Sequence, residues 1–104
     1  QAAKVNKSGN VPPAPVKEIW YRQGGSIIQW SVEPVSDPLQ ETHFFVVYGF
    51  RDGEDVDISD PSHIVSVRRE SWYVPEDDGN VRYVVTVVDR CWNESVPSEP
   101  VSIL

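Results

Sequence analysis

Carboxylate side chains are concentrated in one loop of this sequence, between Arg51 and Asp60. The acidic residues of this loop are Asp52, Glu54, Asp55, Asp57 and Asp60. A calcium loop of the EF-hand type needs oxygen ligands at alternate positions, a glycine at the sixth position and a closing bidentate glutamate. Gly53 comes too early for that register, and no glutamate closes the loop. The spacing therefore favours a solvated acidic loop, and we expect neither a metal nor a cofactor.

The remaining reactive side chains form no recognisable catalytic arrangement. Cys91 is the single cysteine, so it forms no internal disulfide, and His43 and His63 share no motif with it that would supply a base. The acidic run at residues 76–78 lies in a turn, without the apolar pocket that raises a carboxyl pKa for acid–base catalysis. We therefore expect a protein that is not an enzyme.

Tryptophan offers a different chemistry, because an exposed indole can stack on the ring of a sugar. Trp20, Trp72 and Trp92 are not assigned to the core by the strand pattern, and together they could form a carbohydrate-binding surface. Alternatively, each indole covers an end or an edge of the fold, which is a common use of a large amphipathic ring. Stacking requires rings in one plane, which a sequence cannot show, so both interpretations stay open.

Length and charge limit the class of protein. The chain has 104 residues, enough for one domain with its own core, and a net charge of −7 from 16 acidic and 9 basic residues. Nucleic-acid-binding proteins carry basic stripes, which this chain lacks, so we expect no nucleic-acid partner. Since no apolar run approaches 18 residues, we also expect no membrane contact by this domain. We expect the isolated fragment to be a monomer.

Short apolar runs alternate with turn signals from Val16 onward, without a helical period. The longest run, Val81 to Arg90, is rich in β-branched residues and contains no glycine or proline, which is typical of a central strand. The pattern predicts an all-β fold, a seven-stranded antiparallel β-sandwich. The other predicted strands are Val16–Tyr21, Ser26–Ser31, His43–Phe50, His63–Arg69, Ser71–Val74 and Glu99–Leu104.

The beginning of the chain differs in composition from the rest. Residues 1–10 are small and polar, and Val11 to Pro15 is rich in proline, which favours an extended backbone. We predict a flexible linker over residues 1–15 and a β-sandwich domain over residues 16–104. A proline-rich lead-in of this kind indicates one module of a longer protein.

Alternation along the strands predicts which side chains face inward. The predicted inner set consists of Ile28, Trp30, Phe44, Val46, Tyr48, Tyr83, Val85 and Val87. The opposite set would form an apolar patch on the solvent side of the sheet, large enough to dock a neighbouring domain of the same chain. The predicted docking face consists of Phe45, Val47, Val84, Thr86 and Val88. Alternatively, β-branched residues simply tolerate exposed strand positions.

These residues resemble those of a fibronectin type III module, over Val11 to Leu104. The resemblance is carried by the proline-rich entry, by Trp30 just before Glu33-Pro34, and by two strand motifs, Phe44-x-Val46-x-Tyr48-Gly49 and Tyr83-x-Val85-x-Val87. It implies an immunoglobulin-like sandwich, with the Tyr83 hydroxyl bonded back to upstream backbone. Asp89 departs from the family, which usually has a small apolar residue at that position.

A narrower resemblance concerns three segments, residues 60–65, 75–79 and 87–95. They look like the C-terminal fibronectin-like modules of secreted bacterial glycoside-hydrolase-like proteins, often lipoproteins of the Bacteroides type. This resemblance implies a catalytic domain upstream, an exported protein at the periplasm or cell surface, and a spacer or docking role for this module. The alternative is a carbohydrate-binding module with a polysaccharide as its partner.

Overall fold

Two antiparallel sheets make up the fold in a computed structural model, which describes residues 11–76 and 79–103. The strands are β1 (Glu18–Arg22), β2 (Ile27–Ser31), β3 (Thr42–Arg51), β4 (Ile64–Arg68), β5 (Trp72–Tyr73), β6 (Asn80–Asp89) and β7 (Val101–Ser102). One sheet has the order β1-β2-β5 and the other the order β4-β3-β6-β7. Within the described residues, helical turns are limited to two short 3-10 segments, Pro38–Gln40 and Pro61–His63. The antiparallel all-β prediction is confirmed, and the two sheets fit a sandwich.

The two longest strands, β3 and β6, lie side by side at the centre of the four-stranded sheet. They pair in antiparallel register along most of their length, with Tyr48 opposite Val84 and Val46 opposite Thr86. Both strands are rich in β-branched and aromatic residues, which pack well on a pleated surface. The strand predicted to be central, β6, therefore lies in the interior of this sheet, between β3 and β7.

The core between the sheets contains Trp30 and Tyr83, as predicted. Trp30 is 3% exposed and Tyr83 is fully buried. The Trp30 indole meets the Phe45 ring edge-on, with 5.4 Å between ring centroids. The buried members of this core are Val16, Ile28, Trp30, Phe45, Val47, Tyr73, Tyr83, Val85 and Val87. The hydrogen bond expected of the Tyr83 hydroxyl stays a prediction.

The inner and outer faces of β3 are the reverse of the prediction. Phe45 and Val47 point into the core between the sheets, whereas Val46 and Tyr48 belong to a second cluster on the outer face, with Phe44 packed against it. The prediction was wrong because both faces of β3 are apolar, so alternation along the strand does not say which face is inner. For β6 the predicted alternation is correct.

The outer face of the four-stranded sheet is covered by the chain's own loops. Ile58, from the acidic loop, packs against the outer cluster, and the His63 ring lies 4.6 Å from the Phe50 ring. Glu94 covers the other end, where its carboxylate accepts hydrogen bonds from side chains of β3 and β6. The central strands are therefore buried on both faces.

The strand predicted over Glu99–Leu104 pairs with β6 only at Val101–Ser102, and Leu104 lies outside the described residues. Upstream of it, two serines replace regular strand pairing. Ser95 and Ser98 each donate the backbone N–H to a β6 carbonyl and accept a β6 N–H on the hydroxyl oxygen. Pro97 and Pro100 carry no backbone N–H, so an uninterrupted ladder cannot form here.

The proline-rich lead-in joins the folded body before β1 begins. Pro13 is buried and Val16 is 7% exposed, as a member of the core between the sheets. Of the linker predicted over residues 1–15, residues 1–10 lie outside the described part of the chain. The turn residues Asp77 and Asp78 lie outside it as well.

Candidate functional site

Trp20 and Trp72 lie in one row across the three-stranded sheet, although they are far apart in the sequence. In the antiparallel register, Trp20 of β1 lies opposite Gln29 of β2, and Gln29 lies opposite Trp72 of β5. Directly paired residues point to the same face of a sheet. The two Cα atoms are thus about two strand spacings apart, roughly 9.5 Å. We call Trp20, Gln29 and Trp72 the tryptophan row.

The row lies on the outer face of its sheet, because the alternate residues face the core. Ile28 and Trp30 flank Gln29 in the sequence and are buried, and Tyr73 is buried next to Trp72. Trp20 is 40% exposed and Trp72 is 39% exposed. Both indoles are therefore anchored in the sheet while much of their surface stays accessible.

Arg68 holds the Trp72 ring in place. Its guanidinium carbon lies 4.6 Å from the centroid of the Trp72 ring, which is a cation–π contact. The same guanidinium forms an ion pair with Glu70 at 3.3 Å. An aromatic ring fixed before a ligand arrives loses less conformational entropy on binding, so this contact favours recognition.

A cleft of about 640 Å³ adjoins the row at the β1–β2 hairpin. It is lined by Arg22, Gly24, Gly25, Ile27 and Gln29. Arg22 and Ile27 are paired in the sheet and lie next to the tryptophan row. The Arg22 guanidinium donates a hydrogen bond to Oε1 of Gln29 over 3.0 Å. The row and the cleft thus form one surface of two aromatic rings and polar side chains.

Trp92 does not belong to this surface. Its ring makes edge-on contacts with His43 and Phe44, at centroid distances of 5.3 and 5.5 Å. Those residues belong to β3, in the other sheet. Trp92 is 70% exposed and has a positive φ of 66°, which is uncommon outside glycine. Of the three tryptophans predicted as stacking residues, the structure brings two together and places the third elsewhere.

The turn that carries Trp92 is organised by Asp89, which is fully buried. Its Oδ1 accepts hydrogen bonds from the backbone N–H groups of Cys91 and Asn93, each over 2.9 Å. Its Oδ2 accepts a third bond from the Asn93 side-chain amide over 3.3 Å. Asp89 therefore supplies the acceptors that this turn needs.

The predicted docking face is not an exposed patch. Phe45 and Val47 lie in the core between the sheets, and the three β6 residues, although on the outer face as expected, are buried under the loops. Val84 and Thr86 are 0% exposed, and Val88 is 5% exposed. The prediction of a solvent-exposed face was wrong, because the chain covers both faces of this sheet itself.

A hydrogen-bonded cluster locks one of those loops to the sheet. The Tyr48 hydroxyl donates to Oε2 of Glu94 over 2.5 Å, and the Thr86 hydroxyl donates to the same oxygen over 2.6 Å. Burial raises the pKa of Tyr48 well above its usual value, and the hydrogen bond to Glu94 raises it further. A tyrosine held in its neutral form serves as a donor to a fixed carboxylate. The cluster therefore stabilises the packing of the segment around Glu94 on the sheet.

The acidic loop uses its carboxylates to shape its own backbone. Asp57 accepts hydrogen bonds from the N–H and hydroxyl of Ser59, and Asp60 accepts one from the N–H of Ser62. These bonds lower the pKa of both aspartates. Within the described residues, no group of three or more histidine, cysteine or acidic side chains could hold a metal ion.

The histidines are also engaged in structural contacts. His63 Nδ1 lies 3.2 Å from the carbonyl oxygen of Gly49, and the His43 ring packs on Phe44. Cys91 is a free thiol of intermediate exposure. Among the described residues, none forms a helix long and apolar enough to cross a bilayer.

Gln29 and Arg22 were not identified from the sequence as site residues. Alternation alone could have found them, since Gln29 is the one polar residue between the inward-facing Ile28 and Trp30, and Arg22 follows Trp20 by two positions. The pairing of β2 with β5, which adds Trp72 to the row, has no local signal. No protein-family model and no curated protein matches this chain.

Proposed function

We propose that this chain is a non-catalytic module that binds a glycan on the outer face of its three-stranded sheet. The observation that supports the proposal is the tryptophan row, in which two half-exposed indoles flank one amide on a sheet face. The apolar faces of sugar rings pack on indoles, while hydroxyl groups exchange hydrogen bonds with amide and guanidinium groups. An open face of this kind suits a segment of a polymer better than a small enclosed ligand.

The spacing of the indoles favours an extended chain as the ligand. The Cα atoms of Trp20 and Trp72 are two strand spacings apart, which is roughly 9.5 Å. In an extended glycan with equatorial linkages, alternate sugar units are separated by a similar distance. One unit would then stack on Trp20, the next would face Gln29, and the third would stack on Trp72.

The proposal also includes the fold class of the domain and the kind of protein to which it belongs. We infer that the domain is of the fibronectin type III class and belongs to a multidomain exported bacterial protein with a glycoside-hydrolase-like domain. Two packed antiparallel sheets with Trp30 and Tyr83 in the core support the first inference. A spacer role is compatible with glycan binding, because central strands buried on both faces make a stiff body.

Isothermal titration calorimetry with soluble β-linked oligosaccharides tests the proposal. We expect Trp20→Ala and Trp72→Ala each to weaken binding by roughly tenfold, because each substitution removes one stacking surface. Trp92→Ala is the matched control, since its indole is exposed in the turn after β6, next to the other sheet, and it should bind like the parent chain. Unchanged binding in both row variants, or loss only in Trp92→Ala, would contradict the proposal.

A further inference from the structure

We propose that the glycan is acidic, and that Arg22 binds the carboxylate of a uronic acid unit in the cleft beside the tryptophan row. This inference rests on the proposed glycan-binding function and specifies its ligand. It is carried by the position of Arg22, by its hydrogen-bond partner and by the composition of the cleft.

Arg22 is placed to reach a sugar that is stacked on Trp20. The two residues are separated by two positions on β1 and share its outer face, so their Cα atoms are roughly 6.7 Å apart. A pyranose ring on Trp20 would therefore present one edge toward the guanidinium. Its carboxyl group, in a uronic acid, is attached at that periphery.

Several arginines, Arg22 among them, form no ion pair with another described residue. Lys17 pairs with Glu33 and Arg68 pairs with Glu70, whereas the described residues place no carboxylate within ion-pair distance of Arg22. Its partner is the neutral amide of Gln29. None of the other residues that line the cleft is ionisable. A positive charge is therefore available there in a protein of net charge −7.

The hydrogen bond to Gln29 also orients the guanidinium. Arginine has five N–H donors in a planar fork, and the bond through Nη1 uses one of them. The remaining donors can form the paired hydrogen bonds that arginine makes with a carboxylate, which are stronger than bonds between neutral groups. A neutral sugar with a hydroxymethyl group at the same position would gain much less binding free energy from the guanidinium.

A matched pair of ligands tests the inference by calorimetry at low and at high salt. The first is an oligosaccharide of β-linked mannuronic acid, and the second is the mannose oligosaccharide of the same linkage and length. We expect the parent chain to bind the acidic ligand roughly tenfold more tightly at low salt, with a smaller preference at high salt.

Arg22→Gln should remove this preference, so that the acidic and the neutral ligand bind with similar affinity. Arg90→Gln is the control, because it changes the net charge equally at an exposed turn residue next to the other sheet. Equal losses in both variants would show a general charge effect and overturn the inference. A sulfated oligosaccharide that outcompetes the mannuronic acid ligand would also overturn it.

The outcomes separate this inference from the proposed function. If both ligands bind equally and their binding depends on Trp20 and Trp72, the inference of an acidic ligand is wrong and the proposed glycan binding stands. If the acidic ligand binds through Arg22 while the row variants have no effect, the stacking proposal is wrong. If the parent chain binds neither these ligands nor other extended glycans, both proposals are wrong.

Discussion

Asp89 shows how one buried polar residue can define a turn. An ionised or polar group removed from water is stabilised only when hydrogen bonds replace its hydration. Asp89 achieves this with three donors from Cys91 and Asn93, all within four residues of it. The same bonds fix the backbone around Trp92, where φ is positive. One side chain thus sets the conformation of the turn after β6.

We expect Asp89→Ala to lower the free energy of unfolding by about 2–4 kcal/mol, because it leaves part-buried donors without acceptors. Urea denaturation followed by tryptophan fluorescence measures this loss. Asp57→Ala is the control, since Asp57 is exposed and caps only its own loop. A midpoint of Asp89→Ala no lower than that of the control would show that the turn is held by other contacts.

At the scale of the strands, the structure explains why β3 was assigned to the wrong face. Its residues are apolar at consecutive positions, so the period of two that separates inner from outer residues in half-buried strands is lost. The three-stranded sheet differs, since Gln29 and Arg22 alternate with apolar residues and mark its outer face. Sequence alternation therefore indicates the inner face most directly where the other face of the sheet meets water.

Two valines on the outer face of the four-stranded sheet give a matched test of its cover. Val84 on β6 is fully buried, whereas Val67 on the edge strand β4 is 59% exposed. We expect Val84→Lys to reduce the free energy of unfolding by about 3 kcal/mol or more, because it buries an unpaired charge. Val67→Lys should have little effect.

Thermal denaturation monitored by circular dichroism compares the two lysine variants with the parent chain. Similar melting temperatures for all three proteins would mean that the acidic loop and the residues around Glu94 move away from this face. The apolar face could then serve for docking after all.

At the scale of the whole molecule, the domain begins before its first strand. Val16 fills part of the core between the sheets, and Pro13 is buried three residues earlier. The proline-rich segment is thus partly a component of the folded body, which limits how freely a preceding domain could move relative to it. Such an attachment suits a module that holds a ligand-binding face in a defined position.

A pair of shortened chains tests this boundary. A chain that begins at Lys17 should be about 2 kcal/mol less stable than one that begins at Val11, because it lacks the buried Val16 side chain. Differential scanning calorimetry of the two chains measures the difference. Equal melting temperatures would place the start of the domain after Val16.

The sequence by itself determined the antiparallel all-β architecture and the burial of Trp30 and Tyr83. These follow from local composition, turn residues and the lengths of apolar runs. Only the tertiary structure decided which face of β3 is inner, which loops cover the outer face, and that Trp20 and Trp72 share one row. The physical reason is that strand pairing and layer packing join residues distant in the chain, and the contact energies that select them have no counterpart in local sequence.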